Sequence, residues 1–129
     1  MPEVRPKIVF VVDDDASLRS LLAKALEAKG YQVAQAGDGM AAAELLGRMA
    51  RPPDLLICDV MMPTIDGFSL ARLIKRRAEL REMPLIFLTA RTHPVDVVRG
   101  VNLGARHYVQ KPFSLKCLIE KVEKALRSV

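Results

Sequence analysis

The sequence predicts a doubly wound α/β domain, a five-stranded parallel sheet in the order 2-1-3-4-5 with helices on both faces. Three observations carry that prediction. Apolar runs of strand length alternate five times with stretches of helical periodicity. The run Leu55, Leu56, Ile57, Cys58 is continuous rather than alternating, as expected of a strand buried on both faces of a parallel sheet. Acids follow the first and third runs: Asp13, Asp14 and Asp15 after one, Asp59 after the other. A carboxylate is disfavoured inside an apolar sheet, so these belong at the carboxyl tips of strands, where open α/β sheets keep their ligand crevices.

Each element has a local reason. Lys7 to Val12 is a strand of β-branched and aromatic residues, and Asp15 can cap the helix after it. Leu18, Leu21, Leu22, Ala25 and Leu26 repeat at helical spacing until Gly30 stops them. Tyr31 to Ala36 is a second short strand, and Asp38-Gly39 turns the chain into a helix with Ala42, Leu45, Leu46 and Met49 on one face. Pro52-Pro53 breaks that helix before the central strand, which ends at an exposed Asp59. After it Pro63 is a helix stop, and Asp66-Gly67 leads into a third helix from about Phe68 to about Leu80. Leu70, Leu73 and Ile74 should face inward there, with the basic residues outward. Pro84 opens a fourth strand, LIFLT, ending at Thr89-Ala90. Pro94 can start a fourth helix at its first turn and Gly104 end it. Its pattern, Val95, Val97, Val98 and Val101, is the weakest of the five, which makes this helix the candidate mobile part. Tyr108, Val109 and Gln110 make a short last strand, followed by Lys111-Pro112-Phe113. A final helix then carries Leu115, Leu118, Ile119, Val122 and Leu126 in register.

The 129 residues read as one domain, 1–129, long enough to bury a core without staples. Apolar runs are only strand length and MPEVRPK lacks a signal-peptide core, so the expectation is a soluble, cytoplasmic protein with no membrane segment. Cys58 and Cys117, without metal-ligand spacing, read as core thiols in a reducing compartment. The net charge of +5 is spread out. Its dense cluster, Arg72, Lys75, Arg76, Arg77 and Arg81, has no interleaved aromatics to stack on bases, so a solvated helix face is expected rather than direct nucleic-acid binding.

In the order 2-1-3-4-5 the first and third strands are neighbours, which brings Asp13 and Asp14 beside Asp59. Three carboxylates in one crevice repel unless one is protonated or a cation is present. Hard oxygen ligands with room for water suit Mg²⁺, which shares its shell readily with phosphate. Asp59 could then attack phosphorus to give an acyl phosphate, with Lys111 and Thr89 converging from other strand ends on the developing charge. Each residue also has a duller reading. Asp13 or Asp15 alone would cap a helix, Asp59 would be a turn residue, Thr89 a strand-end hydroxyl, Lys111 a surface lysine and Tyr108 a core aromatic.

The ordered set of Asp13-Asp14, Asp59, Thr89, Tyr108 and Lys111-Pro112-Phe113 resembles the response regulator receiver domain of two-component signalling, a flavodoxin-like, chemotaxis-regulator-like fold, over nearly the whole chain. The resemblance implies that Asp59 accepts a phosphoryl group from the phosphohistidine of a histidine kinase or phosphotransfer protein. It implies that Asp14, Asp59 and the Met61 carbonyl hold Mg²⁺, with Asp13 acting through water. Lys111 would pair with Asp59 and a phosphate oxygen, across a cis Lys111–Pro112 bond. Thr89 would swing to the phosphoryl group and Tyr108 follow inward, repacking the face of fourth helix, last strand and last helix for an output domain or protein partner. Such a domain is a signalling receiver that catalyses only its own phosphorylation and slow dephosphorylation.

Met61 and Arg91, two residues beyond Asp59 and Thr89, offer no carboxamide or carboxylate to orient a hydrolytic water, hence slow loss of the phosphoryl group. The winged-helix branch of the family carries two acids before the switch aromatic for a symmetric dimer. Here those positions are Arg106 and His107, although the KPFSLKCLIEKVEKAL ending resembles that branch. No output domain follows the last helix, which suits a stand-alone receiver or one excised from a longer regulator or hybrid kinase. A haloacid-dehalogenase-type hydrolase would want an acid where Met61 stands, and a flavin or nucleotide binder would want a glycine loop where the acids stand. A pseudo-receiver would have lost one of the key residues.

Overall fold

The computed structural model describes residues 5–90 and 94–127. Strands β1 (Ile8–Val12), β2 (Gln32–Ala36), β3 (Leu55–Asp59), β4 (Leu85–Thr89) and β5 (Ala105–Gln110) alternate with helices α1 (Ala16–Glu27), α2 (Gly39–Arg48), α3 (Gly67–Ile74), α4 (Pro94–Asn102) and α5 (Leu115–Arg127). All neighbouring strands are parallel, in the order β2-β1-β3-β4-β5. The expected architecture holds.

Strands β1, β3 and β4 are buried along their whole length, whereas the edge strands β2 and β5 mix buried and exposed positions. Because side chains alternate across a strand, the central three feed two cores. Phe10, Val12, Leu56, Cys58 and Phe87 pack with Ala42 and Leu46 of α2 and Phe68, Leu70, Ala71 and Ile74 of α3. Val9, Val11, Leu55, Ile57, Ile86 and Leu88 pack with Leu22 and Leu26 of α1 and Leu118, Val122, Ala125 and Leu126 of α5. Three aspartates cap helices in the same way: Asp15, Asp38 and Asp66 accept the N–H of Leu18, Ala41 and Ser69. Gly30 and Gly104 end their helical segments at φ +94°, where a Cβ would be strained.

Several expectations need correction. α3 stops at Ile74 rather than near Leu80, and Ala78–Leu80 form a separate 3-10 turn. Lys75 explains the break: its ammonium donates to the carbonyls of Arg81 (2.8 Å) and Met83 (2.6 Å), so it folds the following segment back instead of joining the solvated face. Leu73 is 39% and Leu21 50% exposed, because the stripes of their helices pass through Leu70, Ala71 and Ile74 and through Leu22 and Leu26 instead. Val98 and Val101 of α4 are also exposed. Cys58 is buried as expected, but Cys117 is exposed on α5. β5 begins at Ala105, three residues earlier than Tyr108, and a register shift leaves Arg106 as an extra residue between the pairs Leu85–Ala105 and Ile86–His107. Those polar residues hid the strand. The Lys111–Pro112 bond is cis. No helix among the described residues is long and apolar enough to cross a membrane.

Candidate functional site

The site lies at the carboxyl ends of β1 and β3, which pair directly, Val12 opposite Cys58. The next residues along these strands, Asp13 and Asp59, project where the sheet ends, and Asp14 follows in the loop to α1. Oxygens of Asp13, Asp14 and Asp59 all lie within 4.8 Å of one another. Asp13 is fully buried, Asp14 exposed, and Asp59 only 5% exposed. The expectation of an exposed Asp59 was therefore wrong: the loop after β3 folds over it. Gly67 is what lets α3 approach so closely, since its N–H donates to the Val60 carbonyl at 2.9 Å and a Cβ there would collide with the Asp59 carbonyl.

Lys111 reaches the acids from the carboxyl end of β5. Its Nζ donates to Oδ2 of Asp13 at 2.9 Å and to Oδ2 of Asp59 at 3.1 Å. The backbone places it, because the Lys111 N–H donates to the Thr89 carbonyl at 2.8 Å. The second oxygen of each buried acid is also held: Oδ1 of Asp13 accepts the Asp15 N–H at 2.9 Å, and Oδ1 of Asp59 accepts the Met61 N–H at 3.1 Å. Burial pushes the Asp59 carboxyl above its ordinary range, and the neighbouring Asp13 charge adds to this. The hydrogen bonds from Lys111 and Met61 oppose the rise without cancelling it. Burial pulls Lys111 down, but the bonds and charges of Asp13 and Asp59 outweigh it and hold the ammonium above its usual range. The lysine is a fixed cation; Asp59 beside it resists ionisation.

Thr89 ends β4, fully buried, one residue beyond Leu88, which pairs with Asp59. Tyr108 is half-buried, pairs with Phe87 across β4 and β5, and lies 6.3 Å from it ring to ring. Alternation puts Thr89, Phe87 and Tyr108 on one face of the sheet. Gly100 of α4 covers that face so closely that a Cβ would stand 3.2 Å from the Tyr108 ring.

The structure thus brings together Asp13, Asp14, Asp59 and Lys111, and sets Met61 and Thr89 beside them with Tyr108 farther along the same sheet. Arg91 lies outside the described residues. Two contacts were not anticipated. Lys111 binds Asp13 as well as Asp59, and Arg19 Nη1 donates to the Asp13 carbonyl at 2.7 Å, fastening the acidic loop to α1. The second had a faint signal, an arginine one turn inside a helix that starts from the acids. Oxygen donors converging from two strands and a loop fit a hard divalent cation such as Mg²⁺.

Known proteins agree with this geometry. Residues 9–123 match the response regulator receiver domain. The chain is 40% identical over 121 residues to the transcriptional regulatory protein RprY of Bacteroides fragilis, covering 94% of this chain and 50% of that protein. It is 36% identical to the phosphate regulon transcriptional regulatory protein PhoB of Klebsiella pneumoniae, covering 94% and 52%. The chain therefore spans about half the length of these relatives. Among solved structures, the signal receiver domain of a signal transduction histidine kinase from Syntrophus aciditrophicus superposes with a TM-score of 0.83 at 35% identity, covering 95% of this chain and 92% of that one. The chemotaxis protein CheY4 of Vibrio cholerae does so at 0.87 and 29%, covering 95% and 100%. A doubly wound sheet, an acidic trio at its switch point and a lysine bridging two of the acids come with a match over most of the length, and on these grounds the chain belongs to the response regulator receiver domain family.

Proposed function

We propose that Asp59 is the phosphoryl acceptor of a cytoplasmic two-component receiver spanning 1–129, and that it takes its phosphoryl group from the phosphohistidine of a histidine kinase or phosphotransfer protein. One observation carries the reading: the Lys111 ammonium is shared between the two buried carboxylates Asp13 and Asp59. In this mechanism a carboxylate oxygen of Asp59 attacks phosphorus while the phosphorus–nitrogen bond of the phosphohistidine breaks, its electron pair returning to the imidazole. Asp59 loses its own charge as the acyl phosphate forms, and Lys111, protonated throughout, turns from the carboxylate to the phosphoryl oxygens.

Asp14, Asp59 and the Met61 carbonyl would hold Mg²⁺, with Asp13 acting through water. The ion supplies positive charge against the phosphoryl oxygens and relieves the repulsion among the acids. The Thr89 hydroxyl then turns toward the new oxygens, and Tyr108, on the same face of the sheet, moves into the space behind it. The surface of α4, β5 and α5 repacks and controls an output domain or partner. Half-exposed Met61 has no group to hold a hydrolytic water, so self-dephosphorylation is slow.

Intact mass after incubation with phosphoramidate tests this, with and without Mg²⁺ and beside Asp59→Asn. One added phosphoryl group, on the wild type and only with Mg²⁺, is expected. Continuous turnover of the small phosphate donor would point to a hydrolase instead. No addition to a folded, Mg²⁺-binding protein, even with histidine kinases supplied as donors, would overturn the reading.

A further inference from the structure

Of the three acids that meet at the ends of β1 and β3, two are held by their side chains. The Asp13 carboxylate accepts from Lys111 and the Asp15 N–H, and that of Asp59 from Lys111 and the Met61 N–H. Asp14 differs. Its carboxylate is exposed and, among the described residues, accepts no hydrogen bond, yet one of its oxygens lies within 4.8 Å of the other two acids. Where it points is therefore decided by the backbone that carries it.

Arg19 holds that backbone. It is the fourth residue of α1, in the first turn, where the helix dipole disfavours a cation. Its guanidinium turns back toward the segment before the helix, and Nη1 donates to the Asp13 carbonyl at 2.7 Å, the short distance of a charge-assisted bond. That carbonyl belongs to the planar peptide unit joining Asp13 to Asp14, so the bond fixes the plane from which the Asp14 Cα departs. On its other side the guanidinium lies against the turn after β2. A Cβ on Gly37 would stand 3.2 Å from Nη1 and 3.7 Å from Cζ, and the Asp13 N–H donates to the carbonyl of the preceding Ala36 at 3.2 Å. Arg19 thus sits between the acidic loop and that turn, in a space that a side chain at 37 would crowd. Local stability accounts poorly for the arrangement. Nε is buried and donates to nothing among the described residues, a loss that offsets what the Nη1 bond contributes.

We propose that Arg19 is a positioning residue of the acidic site: it fixes the peptide between Asp13 and Asp14 and so aims the Asp14 carboxylate at the place where a divalent cation joins it to Asp59. Groups that orient a metal ligand without touching the metal commonly govern its affinity. For the cation the inference rests on the proposed receiver function; the placement of the peptide does not. Two effects of Arg19 on a cation oppose each other. Its charge repels the ion, whereas its hold on the loop assembles the ligands, and the bond to a carbonyl rather than a carboxylate makes the second dominant.

The test pairs Mg²⁺ titration calorimetry at pH 7 with amide hydrogen exchange of the metal-free protein. Arg19→Ala should weaken Mg²⁺ binding about tenfold and speed exchange of the Asp15 N–H, which bonds to Asp13, while the Met61 N–H, which bonds to Asp59, keeps its rate. Arg19→Lys, with a cation and a donor, should recover part of the affinity. Gly37→Ala keeps the charge but displaces the guanidinium, so it should weaken binding more mildly, and add nothing in the Arg19→Ala background. It also serves alone if Arg19→Ala does not fold. Arg48→Ala, a charge loss at the exposed far end of α2, should bind Mg²⁺ as the wild type does. Tighter binding by Arg19→Ala would mean that the guanidinium acts by charge, and unchanged binding that it serves stability alone; either result, or an unchanged Asp15 exchange rate, would overturn the proposal. A wild type that binds no Mg²⁺ would count against the receiver function, and the exchange rates would still decide whether Arg19 holds the acidic loop.

Discussion

Replacing Lys111 by methionine keeps much of the side-chain volume and removes the cation from between two buried carboxylates. In the native protein the ammonium makes bonds of 2.9 and 3.1 Å to acids that are 0% and 5% exposed, while its own side chain is 24% exposed. Removing one partner of a fully buried ion pair costs about 3–5 kcal/mol. The partial exposure of Lys111 places the expected loss lower, at about 2–3 kcal/mol, or roughly 10 °C in Tm for a domain of this size. The pH dependence has a definite sign. Asp59 already titrates above its ordinary 3.8 in the folded state, so the native protein binds more protons than the unfolded chain between the two values. Stability from this group falls as pH rises through that window and stays lowered above it. Losing Lys111 raises the folded value further and widens the window. The deficit of Lys111→Met should therefore be full at pH 7 and shrink as the pH falls through the carboxylate range. Lys111 contributes in the opposite region: its folded value is raised above 10.5, so its stabilisation is complete at neutral pH and lost only in strong alkali. Urea unfolding across pH measures all of this. Divalent cation should bind the variant more tightly, since a competing charge is gone, while phosphorylation by phosphoramidate slows. A stability change below about 0.5 kcal/mol at pH 7, or a deficit as large at pH 4 as at pH 7, would refute the bridging role.

Gly67→Ala would press a methyl group against the Asp59 carbonyl and within 2.9 Å of the Val60 Cα, so a loss of about 1–3 kcal/mol and slower phosphorylation are expected. Gly47→Ala is its control: nothing lies within 4 Å of a Cβ there, in the last turn of α2, so urea unfolding should show a gain of up to about 0.4–1 kcal/mol with phosphorylation unchanged. The phosphorylated protein, followed by intact mass in excess Mg²⁺, should lose its label slowly; decay as fast as that of quick chemotaxis-type receivers would contradict the account of Met61.

The fold was legible because its strongest signals are local. Continuous apolar strands, aspartates at N-caps and glycines at helix ends each declare one element, and parallel alternation leaves few topologies. What escaped depended on the third dimension. Leu21 and Leu73 are apolar and at near-helical spacing, yet they miss the buried stripe by one position, which periodicity alone resolves poorly. The end of α3 is set by Lys75 reaching carbonyls six and eight residues away, a contact with no counterpart in local propensity. At the site, residue types and strand ends implied that Asp13, Asp59 and Lys111 meet. That Asp59 is buried follows only once Gly67 has let α3 close on the end of β3, and that Lys111 is shared with Asp13 follows only from the three-dimensional meeting of the ends of β1 and β5.

On the proposed function, that closure is what would let the site act as a switch. Asp59 sits where burial opposes its charge, and it is held there by three wholly buried strands that do not depend on it. The repulsion between Asp59 and Asp13 is thus carried by the core rather than relieved locally, and one lysine offsets only part of it. Any cation that joins the acids, or any reaction that removes the charge of Asp59, releases that repulsion into binding or transfer. Thr89 and Tyr108 share the face of β4 and β5 on which such a change must register, and Gly100 leaves the Tyr108 ring little room to respond except by moving α4 or itself. Under the proposed function, the tight packing that makes Gly100 necessary would also be the reason a change at Asp59 reaches the surface of α4, β5 and α5 rather than dissipating within the loops.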